Sequence, residues 1–233
     1  MAAGFSVSSM APQKVMLLAA GRGERLRPLT LSTPKPLLSV GGDTLIGWHL
    51  RRLAKSGVRE VAINVSWLHE RFYEMLGDGR RFGLKITYFY EGPEPLETAG
   101  AIINALDFFE DKPFGVISAD VFSEVLPPSP PPQGVCARLW LVDNPPHHPN
   151  GDFGLDGEEC RRTGSRCFTF SGIATFRPEA LKGLTVQRQP LRPLFERWLG
   201  SGRLWGQRHL GYWTDVGTAE RLEACHAWCV DHL

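Results

Sequence analysis

The segment Lys14-Val15-Met16-Leu17-Leu18-Ala19-Ala20-Gly21-Arg22-Gly23-Glu24-Arg25-Leu26 begins as a short apolar run and closes in a glycine-bearing turn. A run of that length bounded by a turn suits a central strand buried on both faces better than a helix. From Thr44 to Ser56, Leu45, Ile46, Trp48, Leu50 and Leu53 recur on one helical face, and Gly57 ends the run. Glu60–Val65 (EVAINV) then reads as a second strand and completes a βαβ unit. The alternation continues through a helix around Leu68–Leu76, a strand at Lys85–Tyr90, a helix at Thr98–Leu106 and an apolar strand at Phe114–Ser118. Strands and helices in turn predict an α/β fold whose mostly parallel sheet is covered on both faces.

After Asp120 the rhythm breaks at Pro127–Gly134 (PPSPPPQG), which lacks the backbone donors of a ladder and reads as a surface loop or stiff spacer. Strand-like runs resume at Cys136–Val142 and Cys167–Phe176, with helices at Pro190–Leu199 and Ala219–Asp231. The second half therefore reads as an elaboration of the same sheet. At 233 residues the chain is long enough for one sizeable core, so residues 13–233 are read as a single domain behind a disordered tail of residues 1–12.

A formal net charge of +1 argues against nucleic-acid or membrane-surface partners, which usually need a strong basic excess. No apolar run approaches the roughly 18 residues of a membrane helix, and no basic segment leads into an apolar one near Met1, so a cytoplasmic protein is expected. Cys136, Cys160, Cys167, Cys225 and Cys229 are odd in number and show no C-x-x-C spacing, which reads as reduced thiols.

The turn after the first strand sits where α/β sheets bind ligands. Glycines there let a phosphate approach the backbone, whose N–H groups supply fixed partial positive charge. The alternative for Gly21-Arg22-Gly23 alone is a plain tight turn. A dinucleotide fingerprint needs a third glycine where Leu26 stands, and a Walker loop needs Gly-Lys-Ser/Thr, which is absent. The turn leads instead into Arg25, Arg27 and the run Thr33-Pro34-Lys35-Pro36-Leu37, cations on a proline-constrained loop suited to charge-assisted phosphate binding.

Two aspartates stand out. Asp120 ends the apolar strand Phe114–Ser118, and Asp215 lies in Trp213-Thr214-Asp215-Val216-Gly217-Thr218 ahead of the last helix. Either one alone is as well explained as a helix cap or turn former. Together they suit Mg²⁺, which is commonly held by one or two carboxylates plus substrate phosphates.

The string LLAAGRGERLRPLTLSTPKPLLSVGG resembles the signature of the sugar nucleotidyltransferase family, and the resemblance extends from Lys14 over nearly the whole chain. It implies the nucleotide-diphospho-sugar transferase fold, a Rossmann-like three-layer sandwich with a mixed, mostly parallel central sheet. It implies Asp120 and Asp215 as Mg²⁺ ligands, Arg25 on the departing β/γ phosphates, and Lys35 bridging the α-phosphate and the sugar phosphate. It places the nucleotide against Leu18, Ala19, Ala20, Gly21, Arg22, Gly23, Glu91, Glu97 and Thr98, and the sugar against Gly151, Asp152, Ser171 and Gly172.

Solvated loop carboxylates at Glu91 and Glu97, and a helix cap at Thr98, remain as alternatives. Pro95-Leu96-Glu97-Thr98-Ala99-Gly100 and the run from Leu141 to Phe153 draw the resemblance toward uridylyl transfer from UTP to N-acetylmuramate 1-phosphate in peptidoglycan recycling, by a monomer or homodimer. Mannose 1-phosphate guanylylation is the alternative activity, and a silent nucleotide-sugar-binding regulator the remote one. His147 and His148 are read as loop residues, His49 as a packing residue, and Trp205, Trp213 and Trp228 as core aromatics.

Overall fold

A computed structural model describes residues 12–232, so all but the last residue of the expected tail lies outside the described residues. The first half contains β1 (Lys14–Leu18), β2 (Ser39–Val40), β3 (Asp43–Thr44), α1 (Leu45–Lys55), β4 (Glu60–Val65), α2 (His69–Leu76), β5 (Lys85–Tyr90), α3 (Glu97–Asn104), β6 (Phe114–Ser118) and β7 (Val121–Ser123). The second contains β8 (Ala137–Val142), β9 (Phe153–Asp156), β10 (Glu159–Arg161), β11 (Cys167–Phe176), α4 (Arg192–Gly200), β12 (Leu204–Arg208), β13 (Trp213–Asp215) and α5 (Ala219–His232).

Nine strands form one mixed sheet in the order β5-β4-β1-β6-β11-β8-β12-β10-β9. Only β11 and β10 run against the others, so the sheet is mostly parallel as expected. The period of two in β1 creates the three layers. Val15 and Leu17 join the cluster containing Ile46, Leu50 and Leu53 of α1 and Phe72 of α2, whereas Met16 joins the opposite cluster with Ile102 of α3 and Trp198 of α4. A third cluster, containing Leu26, Leu45, Phe122, Val216 and Cys225, fastens α5 to the loop after β1.

The helices expected at Thr98 and Pro190 begin at Glu97 and Arg192, and α3 gives way to a 3-10 turn over Leu106–Phe109. The Pro127–Gly134 stretch has no regular structure, but Pro127 and Pro128 are buried. Pro127 covers Gly115 so closely that a Cβ there would meet its Cγ at 2.6 Å. The proline-rich segment is therefore packed onto the sheet rather than spaced away from it. Trp205, Trp213 and Trp228 are half-buried, with Trp213 packed against the cluster of β1 and α1 and Trp228 against the third cluster. All five cysteines are free thiols.

Candidate active site

The parallel strands β4, β1 and β6 deliver their carboxyl ends to one edge, and hydrogen bonds lock those ends together. The N–H of Ala119 donates to the carbonyl of Leu18 at 3.0 Å. The N–H of Ala19 donates to Oδ1 of Asn64 at 2.8 Å, and Nδ2 of Asn64 donates to Oε1 of Glu91 at 2.9 Å. Oε2 of Glu91 accepts the N–H of Leu96 at 2.8 Å. Both oxygens of Glu91 thus brace the loop that precedes α3, and burial raises its pKa above the ordinary carboxylate range. Asn64, only 4% exposed, is the link that sequence reasoning missed, because a lone amide inside an apolar strand carries no motif.

These ends surround a cavity of about 560 Å³ lined by Leu18, Ala19, Ala20, Gly21, Gly23, Arg25, Lys35, Glu91, Glu97, Thr98 and Asp120, among others. Arg22 does not line it; its guanidinium donates to the carbonyl of Pro93 at 3.1 Å, across the loop mouth. Gly23 has φ +63°, and a Cβ there would stand 2.9 Å from Cγ2 of Thr30, so the turn itself requires glycine at this position. At Gly21 a Cβ would meet nothing within 4 Å, so no neighbour in the chain explains this glycine. Thr98 is not the cap of α3, since the helix starts one residue earlier with Leu96 at the cap position. Glu97 pairs with Arg188 at 3.1 Å.

Nζ of Lys35, a residue 7% exposed, lies 2.7 Å from Oδ2 of Asp120. Asp215 comes to the same place through a short antiparallel ladder, in which it pairs with Val121, and the N–H of Val216 donates to the carbonyl of Asp120 at 2.8 Å. Oδ1 of Asp215 accepts from Arg221 at 2.8 Å and lies 3.1 Å from Nε2 of His147. Arg221 and His147 also touch each other. Neither residue was assigned a role at this carboxylate from the sequence: Arg221 sits on an ordinary amphipathic helix and His147 on an exposed loop.

Asp120 and Asp215 line one cavity as hard oxygen donors, and no group of three or more His, Cys, Asp or Glu suited to a metal occurs among the described residues. That donor set fits a cation completed by substrate phosphates, not one enclosed by protein.

A second cavity, of about 580 Å³, adjoins the first. Arg25, Thr98, Ser118 and Asp120 line both. Asp152, Ser171, Gly172, Asp215 and His148 line the second one, with Phe153, Phe170 and Phe195 as apolar wall. Gly151 does not line it and instead packs against the backbone of Phe168. Asp152 is held from two sides, with Oδ2 accepting the N–H of Phe170 at 2.8 Å and Oδ1 lying 3.2 Å from Nε2 of His148. Gly172, at φ +80°, sits where the register between β11 and β8 shifts, a bulge that turns Ser171 and its neighbours toward the cavity.

Residues 14–129 match the nucleotidyl transferase family. The chain is 44% identical over 224 residues to the N-acetylmuramate alpha-1-phosphate uridylyltransferase of Neisseria meningitidis serogroup B, covering 92% of this chain and 97% of that relative. It is 28% identical to the mannose-1-phosphate guanyltransferase of Neurospora crassa over 88% of this chain and 60% of that one. A Bacillus anthracis structure described as a glucose-1-phosphate thymidylyltransferase has the same fold, with a TM-score of 0.80 at 23% identity over 94% of this chain and 96% of its own. A near full-length relative at that level of identity, with the family match running from β1 past Asp120, establishes that the chain belongs to the nucleotidyl transferase family as a sugar nucleotidyltransferase.

Proposed function

We propose that the protein transfers the uridylyl group of UTP to N-acetylmuramate 1-phosphate, releasing pyrophosphate and forming UDP-N-acetylmuramate. The observation that carries this reading is the meeting of two cavities at Asp120, beside the Lys35 ammonium, in a chain so similar to the Neisseria enzyme. The first cavity takes the triphosphate and the second the sugar ester. A phosphate oxygen of the ester attacks the α-phosphorus while the bond from that phosphorus to the pyrophosphate oxygen breaks.

No general base is needed, because a phosphate monoester has its second pKa at about 6 and is mostly dianionic at neutral pH. The barrier is the approach of two anions, and it is lowered by positioning and by charge. Arg25, which lines both cavities, holds the β and γ phosphates, and Lys35 spans the α-phosphate and the incoming ester. Backbone N–H groups of the Ala20–Gly23 turn approach the nucleotide, whereas Ala19 N–H and the Leu18 carbonyl are engaged within the protein. Asn64 and Glu91 act as positioning residues. Asp152, Ser171 and Gly172 face the sugar. Mg²⁺ held by Asp120 and Asp215 with the substrate phosphates would supply positive charge against the phosphate oxygens.

The unbroken nine-stranded sheet supports reading residues 13–233 as one catalytic domain. N-acetylmuramate is a cell-wall sugar, which supports a place in peptidoglycan recycling in the cytoplasm, and no helix among the described residues is long and apolar enough to cross a membrane. The test is pyrophosphate release across UTP, GTP, dTTP and CTP with N-acetylmuramate, N-acetylglucosamine and mannose 1-phosphates, with and without EDTA. Preference for GTP with mannose 1-phosphate would replace this reading, and no release in any pair would favour a binding-only protein.

A further inference from the structure

We propose that Arg192 reads the lactyl carboxylate that distinguishes N-acetylmuramate from N-acetylglucosamine; the inference rests on the second cavity being the sugar-phosphate site. That substrate carries two separate negative groups, a phosphate and a carboxylate on an ether side chain, and each needs compensating charge once it leaves water. The phosphate end meets Arg25, which lines both cavities, and Lys35, which pairs with Asp120 where they meet.

The remaining charged groups of the second cavity are nearly all committed. His147 faces Asp215, which Arg221 also holds, and His148 faces Asp152. Glu196, the acid nearest Arg192, is already matched by a close contact with Arg162. Arg192 approaches Glu196 only to 4.0 Å, and its side chain is 85% exposed. Among the described residues it is, with Arg25, a cation of the cavity wall that has no close acidic partner. It stands in the first turn of α4, where the helix dipole adds to the same field. Its planar fork suits bidentate pairing with a carboxylate. Leu191 and Phe195, on either side of it in the same wall, offer apolar surface to the lactyl methyl group. A sugar ester without the lactyl group would leave Arg192 in water, as it stands now, so the residue selects by what it gains.

The test crosses protein and substrate changes. Wild type, Arg192→Ala and Arg192→Lys are assayed by pyrophosphate release with N-acetylmuramate 1-phosphate and with its lactyl carboxamide, which keeps the shape and removes the charge. Wild type is expected to show a KM about fivefold lower for the acid than for the amide, with similar kcat, as for a charge-assisted pair at an exposed arginine. In Arg192→Ala that ratio should fall to within about twofold, and Arg192→Lys should recover part of it. Turnover of the amide by Arg192→Ala reports that the variant is folded. An undiminished ratio in Arg192→Ala, or no ratio in wild type, overturns the assignment while leaving the proposed reaction standing. Wild type that uses neither compound, yet turns over another sugar phosphate, overturns both.

Discussion

The ammonium of Lys35 stands 2.7 Å from a carboxylate oxygen of Asp120, joining two points 85 residues apart in the chain. Each charge holds the other in place where the two cavities meet, so the cation is in position before either substrate arrives. Lys35→Met keeps most of the buried stem and removes the charge. It is expected to lower kcat about 100-fold while the far-ultraviolet circular dichroism stays that of wild type. A variant retaining a tenth or more of wild-type kcat would remove Lys35 from the mechanism.

The β7–β13 ladder pairs Asp215 with Val121, the neighbour of Asp120, and both aspartates line the second cavity. EDTA should abolish pyrophosphate release, and added Mg²⁺ should restore it. Asp120→Asn and Asp215→Asn should each cost about 100-fold in turnover at a Mg²⁺ level that saturates wild type. Full activity in EDTA, measured after the protein has been passed through a chelating column, would contradict the metal requirement.

Gly21 and Gly23 make a controlled pair. A methyl group at Gly23 meets Thr30 and sits on a left-handed residue, so Gly23→Ala should lose about 1–2 kcal/mol of stability. A methyl group at Gly21 meets no protein atom within 4 Å in the lining of the first cavity. Gly21→Ala should melt within about 2 °C of wild type. It should nevertheless raise KM for UTP, since the phosphate chain must pass there. Thermal melts and UTP titrations of both variants check the contrast, and equal KM values for Gly21→Ala and wild type would argue that the nucleotide lies elsewhere.

Asn64→Ala strips the partner from the N–H of Ala19 and from Oε1 of Glu91, both at the cavity wall. Leaving such groups unpaired costs about 1–3 kcal/mol. Urea unfolding should record that loss, and KM for UTP should rise with it because the turn loses its brace. Unaltered stability would mean that water replaces the amide.

Burial lowers the pKa of His49 from 6.5 to about 4, and its Nε2 donates to the carbonyl of Val121 at 2.8 Å, beside Asp120. Between those two pH values the unfolded chain takes up a proton that the folded chain refuses. The stability that neutral His49 allows is therefore complete above about pH 6.5 and drains away as pH falls toward 4, by an amount on the order of 3 kcal/mol. Urea midpoints measured across that range should fall more steeply for wild type than for His49→Gln. Parallel profiles would exclude His49 as the source.

The first half of the fold was open to reading because its strands and helices are long and keep one period each. β1, β4, β5, β6 and α1 stand within a residue or two of where their apolar spacing put them. The shorter strands were not. β7, β10 and β13 have three residues each, too few for a period of two to stand out from a loop. For the site, glycines and cations crowded into one loop announced a phosphate cradle. Asn64 and Arg221 announced nothing, and His147 read only as a loop residue, since their partners come from other elements.

What residues in order were able to determine, then, is everything carried by neighbours along the chain: an α/β alternation, a cationic glycine turn after the first strand, and a carboxylate at the end of β6. Only the folded chain decided that Asp215 would lie beside Asp120, because that depends on a three-residue ladder and one backbone hydrogen bond closing a loop of nearly a hundred residues. Short-range preferences are additive along the sequence and leave a readable pattern. Such a closure is settled by whether buried backbone groups elsewhere find partners, and that is a property of the whole packed molecule.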